Sequence, residues 1–372
     1  MRVGVPKETK NREYRVGLTP PSVSELVAAR HEVFVQNGAG RGIDFSNHAY
    51  EKAGATIVES PEELYASADL IVKVKEPQPE EIALLEPRHV LFAYLHLAAD
   101  KAQAEGLMQS GATCIAYETV TSPSGALPLL KPMSEVAGRM AIQVGAHYLE
   151  KEQGGRGILL GGVPGVAPGR VAILGGGVAG LNAAQIAVGQ RADVTIYDIN
   201  NDRLAELDTH FGSQIKTAYA SKAAISAAVA NAHLVIGAVL VPGAAAPKLV
   251  TRDMLKTMKR GSVVVDIAID QGGCFETSRP TTHADPTYVI DDVVHYCVTN
   301  MPGAVPRTST YALNNATLPF VLALADKGWK RALADDVHLR NGLNVAHSKV
   351  THPEVAAALN APYFPAEEVL LK

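Results

Sequence analysis

The strongest constraint on the fold is a cluster of glycines between two regular segments. Gly175, Gly176 and Gly177 directly follow the apolar run "VAIL", and an alanine-rich segment from Val178 to Ala187 comes next. The apolar run predicts a buried strand, and the segment after the glycines predicts a helix. With Gly180, the cluster has G-x-G-x-x-G spacing at a strand-to-helix turn, the context in which this pattern indicates a dinucleotide site.

The three spaced glycines have separate expected roles. Gly175 allows the tight turn, Gly177 lets the backbone approach a pyrophosphate, and Gly180 lets the helix pack closely on the strand. The first amides of the helix would face the phosphates. The next apolar run, "DVTIYD", ends on Asp198, whose carboxylate would bind ribose hydroxyls and repel a 2'-phosphate. NAD is therefore favoured over NADP, a preference that the nearby cation of Arg203 weakens.

The composition is that of an ordinary globular protein that acts on small molecules. The chain has 372 residues, 47% of them hydrophobic and 19% charged, with a formal net charge of -4. It contains neither a basic block nor a basic amphipathic helix, so we expect no nucleic-acid or membrane partner. Its three cysteines are widely spaced and lack zinc-site or disulfide spacing, so we expect no metal and a cytoplasmic location.

Short apolar runs alternate with segments of helical composition along the whole chain. The runs are "RVGVP", "HEVFVQ", "ATIVES", "DLIVKVK", "HVLFAYLH", "TCIAYE", "RVAILG", "DVTIYD", "HLVIGAV" and "SVVVDIA". This alternation predicts an α/β protein with parallel sheets and right-handed crossovers. Because the rhythm occurs twice, we predict two Rossmann-like, doubly wound domains with a cleft between them.

Two passages mark the predicted domain boundaries. A proline-rich passage is followed by Ser134, which could cap a helical pattern from Glu135 to about Glu150. A second long helical pattern begins at about Thr308 and could return the chain to the first domain. We predict a substrate domain made of residues 1–128 and 307–372, and a nucleotide-binding domain of residues 129–306.

The segment "GGRGILLGGVPGVAPGR", residues 154–170, has too many glycines and prolines for a helix. We predict two short extended pieces about a turn, with apolar side chains that contact another subunit. A covered surface loop is the alternative.

Polar side chains stand at the carboxyl ends of several predicted strands, where open parallel sheets bind ligands. The candidates are Lys75, His96, Asp270 and Asn300, joined by Arg15 in the loop after the first strand. Together they suit the reduction of an oxo acid. A guanidinium binds a carboxylate through two parallel hydrogen bonds, an ammonium stabilises charge on a carbonyl oxygen, and an imidazole moves protons near neutral pH.

Each candidate also has a purely structural interpretation. Lys73 and Lys75 alternate as charges on an edge strand do. His96 could be a core histidine, and the arginine could be one charge of a solvated face. Asp270 could cap a turn, and Asp266 in the same predicted strand competes with it for an acidic role.

Long, ordered motifs throughout the chain resemble the alanine dehydrogenase family. They are "MRVGVPKETKNREYRVGLTP", "VKVKEP", "YLHLA", "KPMSEVAGRMA", "GGVPGVAPGRVAILGGGVAG", "IGAVLVPGAAAPKLV", "VVVDIAIDQGG" and "NMPGAVPRTSTYALNNATLP". The resemblance implies an NAD-dependent enzyme that interconverts L-alanine with pyruvate and ammonium. It also implies a substrate domain made of both chain ends, a central Rossmann domain and a homohexamer.

The resemblance further implies the roles of individual residues. Arg15 and Lys75 are the implied substrate ligands, His96 and Asp270 the proton-transferring pair, and Asn300 joins the substrate ligands from its strand end. The cofactor ligands, three of them the motif glycines, are Ser134, Gly175, Gly177, Val178, Ala179, Gly180, Asp198, Arg203, Val239, Leu240, Ile267, Asp270, Arg279, Val298, Asn300 and Met301.

Two positions depart from the pattern of the family. Arg203 stands where a lysine is usual, which preserves the charge, and Ala220 stands where a serine is usual. The second change removes one hydroxyl from the adenosine side, which Ser221 could replace.

Three other functions compete with this interpretation. The nicotinamide-binding subunit of a proton-translocating transhydrogenase shares several motifs but has no small substrate to bind. Saccharopine-type dehydrogenases bind a larger amino acid and match less of "MPGAVPRTS". A nucleotide-sensing protein would need the glycine loop and Asp198 without needing Asp270.

Overall fold

The computed structural model describes residues 1–239 and 246–370, which divide into two compact units. Unit 1 comprises Met1–Met133 and Val305–Lys372, and unit 2 comprises Ser134–Ala304. The predicted boundaries at residues 128 and 306 lie a few residues from these divisions. The α/β class is confirmed, with two mixed and mostly parallel sheets.

Unit 1 is built on one eight-stranded sheet. Its strands, numbered along the chain, are β1 (Arg2–Val5), β2 (Glu32–Gln36), β3 (Thr56–Val58), β4 (Leu70–Val72), β5 (Val90–Ala93), β6 (Thr113–Ala116), β14 (Leu343–Ala346) and β15 (Lys349–Val350). They lie in the order β15-β14-β6-β5-β4-β1-β2-β3. The central strands are apolar and buried along their length, as strands covered on both faces are. β14 and β15 are antiparallel to their neighbours, so the prediction of a wholly parallel sheet is wrong at this edge.

Most helices of unit 1 begin at polar caps or at prolines. They are α1 (Pro20–Ala28), α2 (Asn47–Lys52), α3 (Pro61–Ser67), α4 (Pro79–Ile82), α5 (Lys101–Ser110), α11 (Pro306–Lys327), α12 (Trp329–Asp335), α13 (Val337–Arg340), α14 (Pro353–Leu359) and α15 (Ala366–Leu370). The side chains of Thr19, Ser60 and Asp100 accept hydrogen bonds from the first turns of α1, α3 and α5.

The long helix α11 braces the loop that follows β1. The Asn314 amide oxygen accepts from the backbone N–H of Thr19 at 3.0 Å, and the Asn314 amide nitrogen donates to the Gly17 carbonyl. The Thr310 hydroxyl accepts from the N–H of Val16 at 3.4 Å. The returning C-terminal segment therefore holds the loop that carries Arg15.

Unit 2 is built on a seven-stranded sheet. Its strands are β7 (Arg170–Leu174), β8 (Asp193–Asp198), β9 (Lys216–Tyr219), β10 (Leu234–Gly237), β11 (Val263–Asp266), β12 (Thr287–Ile290) and β13 (Val293–Tyr296), in the order β12-β13-β11-β10-β7-β8-β9. Only β12 pairs in the antiparallel sense among these strands. The helices are α6 (Lys131–Tyr148), α7 (Val178–Gly189), α8 (Asn201–Phe211), α9 (Lys222–Asn231) and α10 (Arg252–Leu255).

Two local predictions in this region have different outcomes. Ser134 lies inside α6, which begins at Lys131, so it does not cap that helix. Residues 154–170 turn back at Pro164 and Gly165, in keeping with the predicted pieces about a turn: Val163 and Val166 form an antiparallel bridge, and the Gly169 N–H donates to the Leu160 carbonyl at 2.8 Å. The side chains of Leu159, Val163 and Val166 in this segment are more than half exposed. Its glycines and prolines keep the β-ladder short.

Among the helices in the described part of the chain, none combines the length and apolarity needed to cross a membrane.

Candidate active site

Four adjacent parallel strands of unit 1 end along the same edge of the sheet. Arg15 follows β1, Lys75 follows β4, His96 follows β5, and Glu118 follows β6. The order of the strands sets the order of these side chains along the edge. Arg15, Lys75 and His96 are among the candidates predicted from the sequence. They share one edge of the sheet because the strands that precede them are parallel.

Arg15 is almost completely buried and held by an acidic partner. Its Nε and Nη2 donate to the two carboxylate oxygens of Glu13, each at 2.6 Å, and Nη1 lies 3.1 Å from the sulfur of Met133. Burial opposes the charge of the guanidinium, but the Glu13 carboxylate outweighs it and raises the pKa of Arg15. The arginine is therefore a fixed cation of this edge, and the interpretation as a charge on a solvated face is wrong.

Lys73 and Lys75 have different environments although they are two residues apart. Lys73 is fully buried, and its Nζ lies 2.6 Å from Glu81 and 3.3 Å from Glu8. Lys75 is only partly buried. Both follow β4, which lies between β5 and β1 in the middle of the sheet, so the edge-strand interpretation of the two lysines is wrong. Lys73 is thus a buried structural charge, whereas Lys75 is partly accessible to solvent at the carboxyl edge of the sheet.

His96 is displayed at a strained turn just after β5. Its backbone is left-handed, with φ of 51°, a conformation that costs a non-glycine residue about 1–3 kcal/mol. The Glu118 carboxylate accepts from the N–H groups of Leu95 at 3.2 Å and His96 at 2.6 Å. The imidazole is 48% exposed, which excludes the core-histidine interpretation.

The glycine loop of unit 2 has the geometry that its spacing predicts. Gly175 has φ of +101°, and a Cβ on Gly180 would lie only 1.9 Å from the Gly175 carbonyl oxygen. A Cβ on Gly177 would meet nothing within 4 Å. The backbone of Gly177 therefore borders open space at the start of α7, where a pyrophosphate would be received.

Asp198 ends β8 beside this loop. Its Oδ2 accepts from the Gly176 N–H at 2.7 Å, and its Oδ1 accepts from the Asn200 N–H at 2.9 Å. Arg203 in α8 donates from Nε to the Gly176 carbonyl at 2.7 Å and from Nη1 to Glu206 at 2.6 Å. The carboxylate is thus held against the glycine loop.

The two acids near β11 have different roles. Asp266 ends the strand and is fully buried, and its carboxylate accepts from the N–H of Cys274 at 2.9 Å and from the hydroxyl of Ser278. Burial raises the pKa of this carboxyl above its ordinary value, and these hydrogen bonds oppose that rise. Asp270 lies four residues on, in a short 3-10 helix (Ile267–Gln271), and is exposed. Asp270 is therefore the acid available to a ligand, although it follows the strand instead of ending it.

The remaining predicted cofactor ligands lie mainly along the same edge of unit 2. Val239 follows β10 and would contact a Cβ on Gly175 at 3.1 Å, and Val178 and Ala179 open α7. Arg279 stacks over the ring of Tyr288 at 4.1 Å. Ser134 lies in α6, and Ile267 lies three residues before Asp270. After β13 come Val298 and Met301, which are buried, and Asn300, which has φ of 62°. Leu240 lies outside the described residues.

The structure adds three residues that sequence reasoning missed. Glu13 binds Arg15, and its place two residues before the arginine in "REYR" was the available signal. Glu118 holds the His96 turn, and a carboxylate at the end of the neighbouring strand in "TCIAYE" could have indicated it. Gly138 lies in α6, where a Cβ would be 2.2 Å from the Ala179 carbonyl, so this glycine lets α6 approach α7. Nothing in the sequence near Gly138 signals that close packing.

The structure also shows whether Ser221 is available to replace the hydroxyl missing at Ala220. The Ser221 hydroxyl accepts from the Ala224 N–H and caps α9. The Ala220 N–H donates to the Asp198 carbonyl at 2.9 Å. Ser221 is therefore already engaged in holding a helix.

Comparison with known proteins covers the whole chain. The family models "Alanine dehydrogenase/PNT, N-terminal domain" and "Alanine dehydrogenase/PNT, C-terminal domain" match residues 4–137 and 141–353. The chain is 60% identical to an alanine dehydrogenase of Halomonas elongata over 100% of both proteins, and 57% identical to that of Bacillus subtilis over 100% of this chain and 98% of the relative.

Solved structures give the same result. An L-alanine dehydrogenase structure superposes with a TM-score of 0.94 at 54% identity, covering 97% of this chain and 99% of the other. A transhydrogenase from Sinorhizobium meliloti gives a TM-score of 0.81 at 25% identity, covering 95% and 99%. The chain therefore belongs to the alanine dehydrogenase/PNT family, in which it is an alanine dehydrogenase.

Proposed function

We propose that the enzyme interconverts L-alanine and NAD with pyruvate, ammonium and NADH. The observation that carries this proposal is the row of Arg15, Lys75 and His96 at one sheet edge of unit 1, in a chain whose unit 2 has a dinucleotide-type glycine turn. The row offers two cations for an oxo acid and one titratable group for proton transfer. The full-length relatives named alanine dehydrogenase support the same reaction.

The residues would have the following roles in the aminating direction. Arg15 would bind the pyruvate carboxylate, and Lys75 would stabilise the negative charge that develops on the keto oxygen when ammonia attacks. His96 and Asp270 would transfer protons as the carbinolamine loses water. Asn300, in its left-handed turn after β13, would contribute an amide to the substrate. When bound, the reduced nicotinamide supplies the hydride.

The loop geometry favours NAD over NADP. Asp198 presents a carboxylate at the ribose position, and Arg203 is already paired with Glu206 through Nη1 at 2.6 Å. A 2'-phosphate would therefore meet one carboxylate directly and would compete with another for the arginine. The proposed ligands of the nucleotide are those that line the carboxyl edge of the unit 2 sheet.

The nicotinamide-binding subunit of a transhydrogenase is the second candidate. The transhydrogenase structure shares the fold at 25% identity, less than half of the 54% shared with the alanine dehydrogenase structure. A transhydrogenase subunit has no oxo acid to bind, so the buried Arg15–Glu13 pair and the Lys75 ammonium favour the dehydrogenase.

We also propose a cytoplasmic homohexamer. The side chains of Leu159, Val163 and Val166 form an exposed apolar group that a neighbouring subunit would cover. Cys114, Cys274 and Cys297 are buried and unpaired, in keeping with a reducing compartment.

The test is the oxidation of NADH with pyruvate in the presence and in the absence of ammonium. The proposal predicts rapid oxidation that requires both compounds, with little turnover of NADPH or of 2-oxoglutarate. His96→Ala should lower kcat by about 10²–10⁴-fold while NADH binding is retained. Tight NADH binding without turnover of any oxo acid would instead favour the transhydrogenase or nucleotide-sensing function.

A further inference from the structure

The turn that displays His96 is held by side chains from two neighbouring elements. The Glu118 carboxylate accepts from the backbone N–H groups of Leu95 and His96, and the Gln103 amide of α5 donates to the Leu95 carbonyl at 2.9 Å. Both backbone groups of Leu95 are thus bound by side chains. A left-handed histidine persists only where its surroundings impose that conformation, and these hydrogen bonds do so.

The imidazole ring is also held in orientation. It lies parallel to the ring of Tyr94, with an angle of 8° and a centroid distance of 5.9 Å. Its Nδ1 is 4.0 Å from a carboxylate oxygen of Glu118, while Glu118 is only 15% exposed. One ring nitrogen therefore faces a fixed, largely buried carboxylate, and Nε2 is the nitrogen on the far side of the ring.

We propose that Glu118 is the positioning residue of His96: it imposes the left-handed turn and keeps the proton on Nδ1, so that Nε2 exchanges protons with the substrate. This inference rests on the proposed function of His96. It gives Glu118 a part in the reaction without contact with the substrate, because a carboxylate beside one ring nitrogen favours the proton on that nitrogen and leaves the other to exchange protons.

Other titratable groups around this turn do not replace Glu118. The phenol of Tyr94 donates to the Leu129 carbonyl, and burial raises the pKa of Tyr94 above its ordinary value, so the phenol stays uncharged at neutral pH. His352 is near enough to interact with Glu118, but burial lowers the pKa of His352, so it is uncharged at neutral pH. Glu118 is thus the carboxylate that lies beside the His96 ring, 4.0 Å from Nδ1.

The experiment compares Glu118→Gln with Glu118→Asp and the wild-type enzyme. Glutamine keeps an oxygen for the backbone N–H groups but loses the charge, whereas aspartate keeps the charge on a shorter side chain. For Glu118→Gln we expect kcat to fall about 10- to 100-fold, a part of what a proton-transferring group contributes, with KM for pyruvate and Kd for NADH within about twofold. The limb of the pH–rate profile due to the proton-transferring group should move to lower pH in Glu118→Gln but not in Glu118→Asp.

Controls separate positioning from a purely structural role. Glu25→Gln, at an exposed site on α1, measures the effect of a neutral glutamine elsewhere and should leave all parameters unchanged. A fall in kcat with no movement of the pH–rate limb, or a matching loss of NADH binding and thermal stability, would overturn the proposal. If Glu118→Gln does not fold, Glu118→Asp tests the same point, because a limb that moves to lower pH although the charge is kept would count against the proposal.

His96→Ala distinguishes this inference from the proposed function. If His96→Ala retains turnover, the role of His96 fails and the inference fails with it. If His96→Ala is inactive while Glu118→Gln is normal, only the role of Glu118 is overturned.

Discussion

The guanidinium of Arg15 and the carboxylate of Glu13 form a buried two-bonded ion pair, with both N–O distances at 2.6 Å and both side chains 1% exposed. Because neither charge can be solvated, each needs the other. The pair also holds the guanidinium in a single orientation.

Glu13→Gln should therefore weaken both substrate binding and the fold. We expect KM for pyruvate to rise about tenfold or more and the free energy of unfolding to fall by about 3–5 kcal/mol, because a buried charge loses its partner. Steady-state kinetics and denaturant unfolding measure the two effects. The matched control is Asp69→Asn, which removes a similar pair with Arg2 that is partly exposed and should cost about 1 kcal/mol or less. Equal losses in both variants would contradict the explanation.

Substitution of Lys73 should mainly reduce stability, and substitution of Lys75 should mainly reduce turnover. Lys73→Met leaves the carboxylates of Glu8 and Glu81 without their shared cation, so we expect a loss of about 3–5 kcal/mol in the free energy of unfolding. Lys75→Met should change stability by less than about 1 kcal/mol, since this side chain is only partly buried, while turnover of pyruvate falls sharply. Unfolding curves and kinetics on the two variants test the prediction, which fails if their effects are exchanged.

Gly177 and Gly180 should respond differently to the same added methyl group. Gly180→Ala places a Cβ 1.9 Å from the Gly175 carbonyl, so the backbone must move and thermal stability should fall by about 1–3 kcal/mol. In Gly177→Ala the methyl meets nothing within 4 Å, so stability should be unchanged while NADH affinity falls. Thermal unfolding and NADH fluorescence titration measure these effects. Normal NADH affinity in Gly177→Ala would show that the pyrophosphate does not approach there.

His295 should make unit 2 sensitive to acid. Its Nδ1 faces the Val293 carbonyl at 2.9 Å and its Nε2 faces the Thr277 hydroxyl at 2.8 Å, an arrangement that suits a neutral ring. Burial is the main cause that lowers the pKa of His295 to about 4. In the unfolded chain His295 has its ordinary pKa of 6.5, so below this pH the unfolded state takes up a proton that the folded state does not. The free energy of unfolding should therefore fall by about 3 kcal/mol as pH decreases from 6.5 to about 4.

The measurement for this prediction is the unfolding midpoint as a function of pH. His295→Gln should lose less stability than the wild type across this pH range, although it is less stable at neutral pH. His48→Gln replaces a histidine that is 85% exposed and should follow the wild-type curve. A wild-type midpoint that does not change between pH 6.5 and 4 would contradict the assignment.

Much of the candidate site follows from sequence because it lies next to strand ends. The runs "RVAIL" and "HVLFA" predict where β7 and β5 end, and in parallel sheets those ends share an edge, so the positions of Gly175 and His96 at such edges follow from the sequence alone. The prediction failed where pairing partners decide the outcome. The interpretation of Lys73 as an edge charge was wrong because strand order is set by contacts between distant segments. The antiparallel strands β12, β14 and β15 were missed for the same reason.

The sequence by itself determined the alternation of strands and helices, the dinucleotide turn and the family, because each is written in short-range spacing and in motifs of consecutive residues. Only the tertiary structure decided which charges are paired. Glu13 and Arg15 are close in sequence, but the loop that carries them is held by α11, about 294 residues further along the chain, through hydrogen bonds to Val16 and Thr19. The carboxylate of Glu118 reaches the turn of His96 only because β6 pairs with β5. Burial and pairing at these positions are long-range properties, which short-range spacing along the chain does not encode.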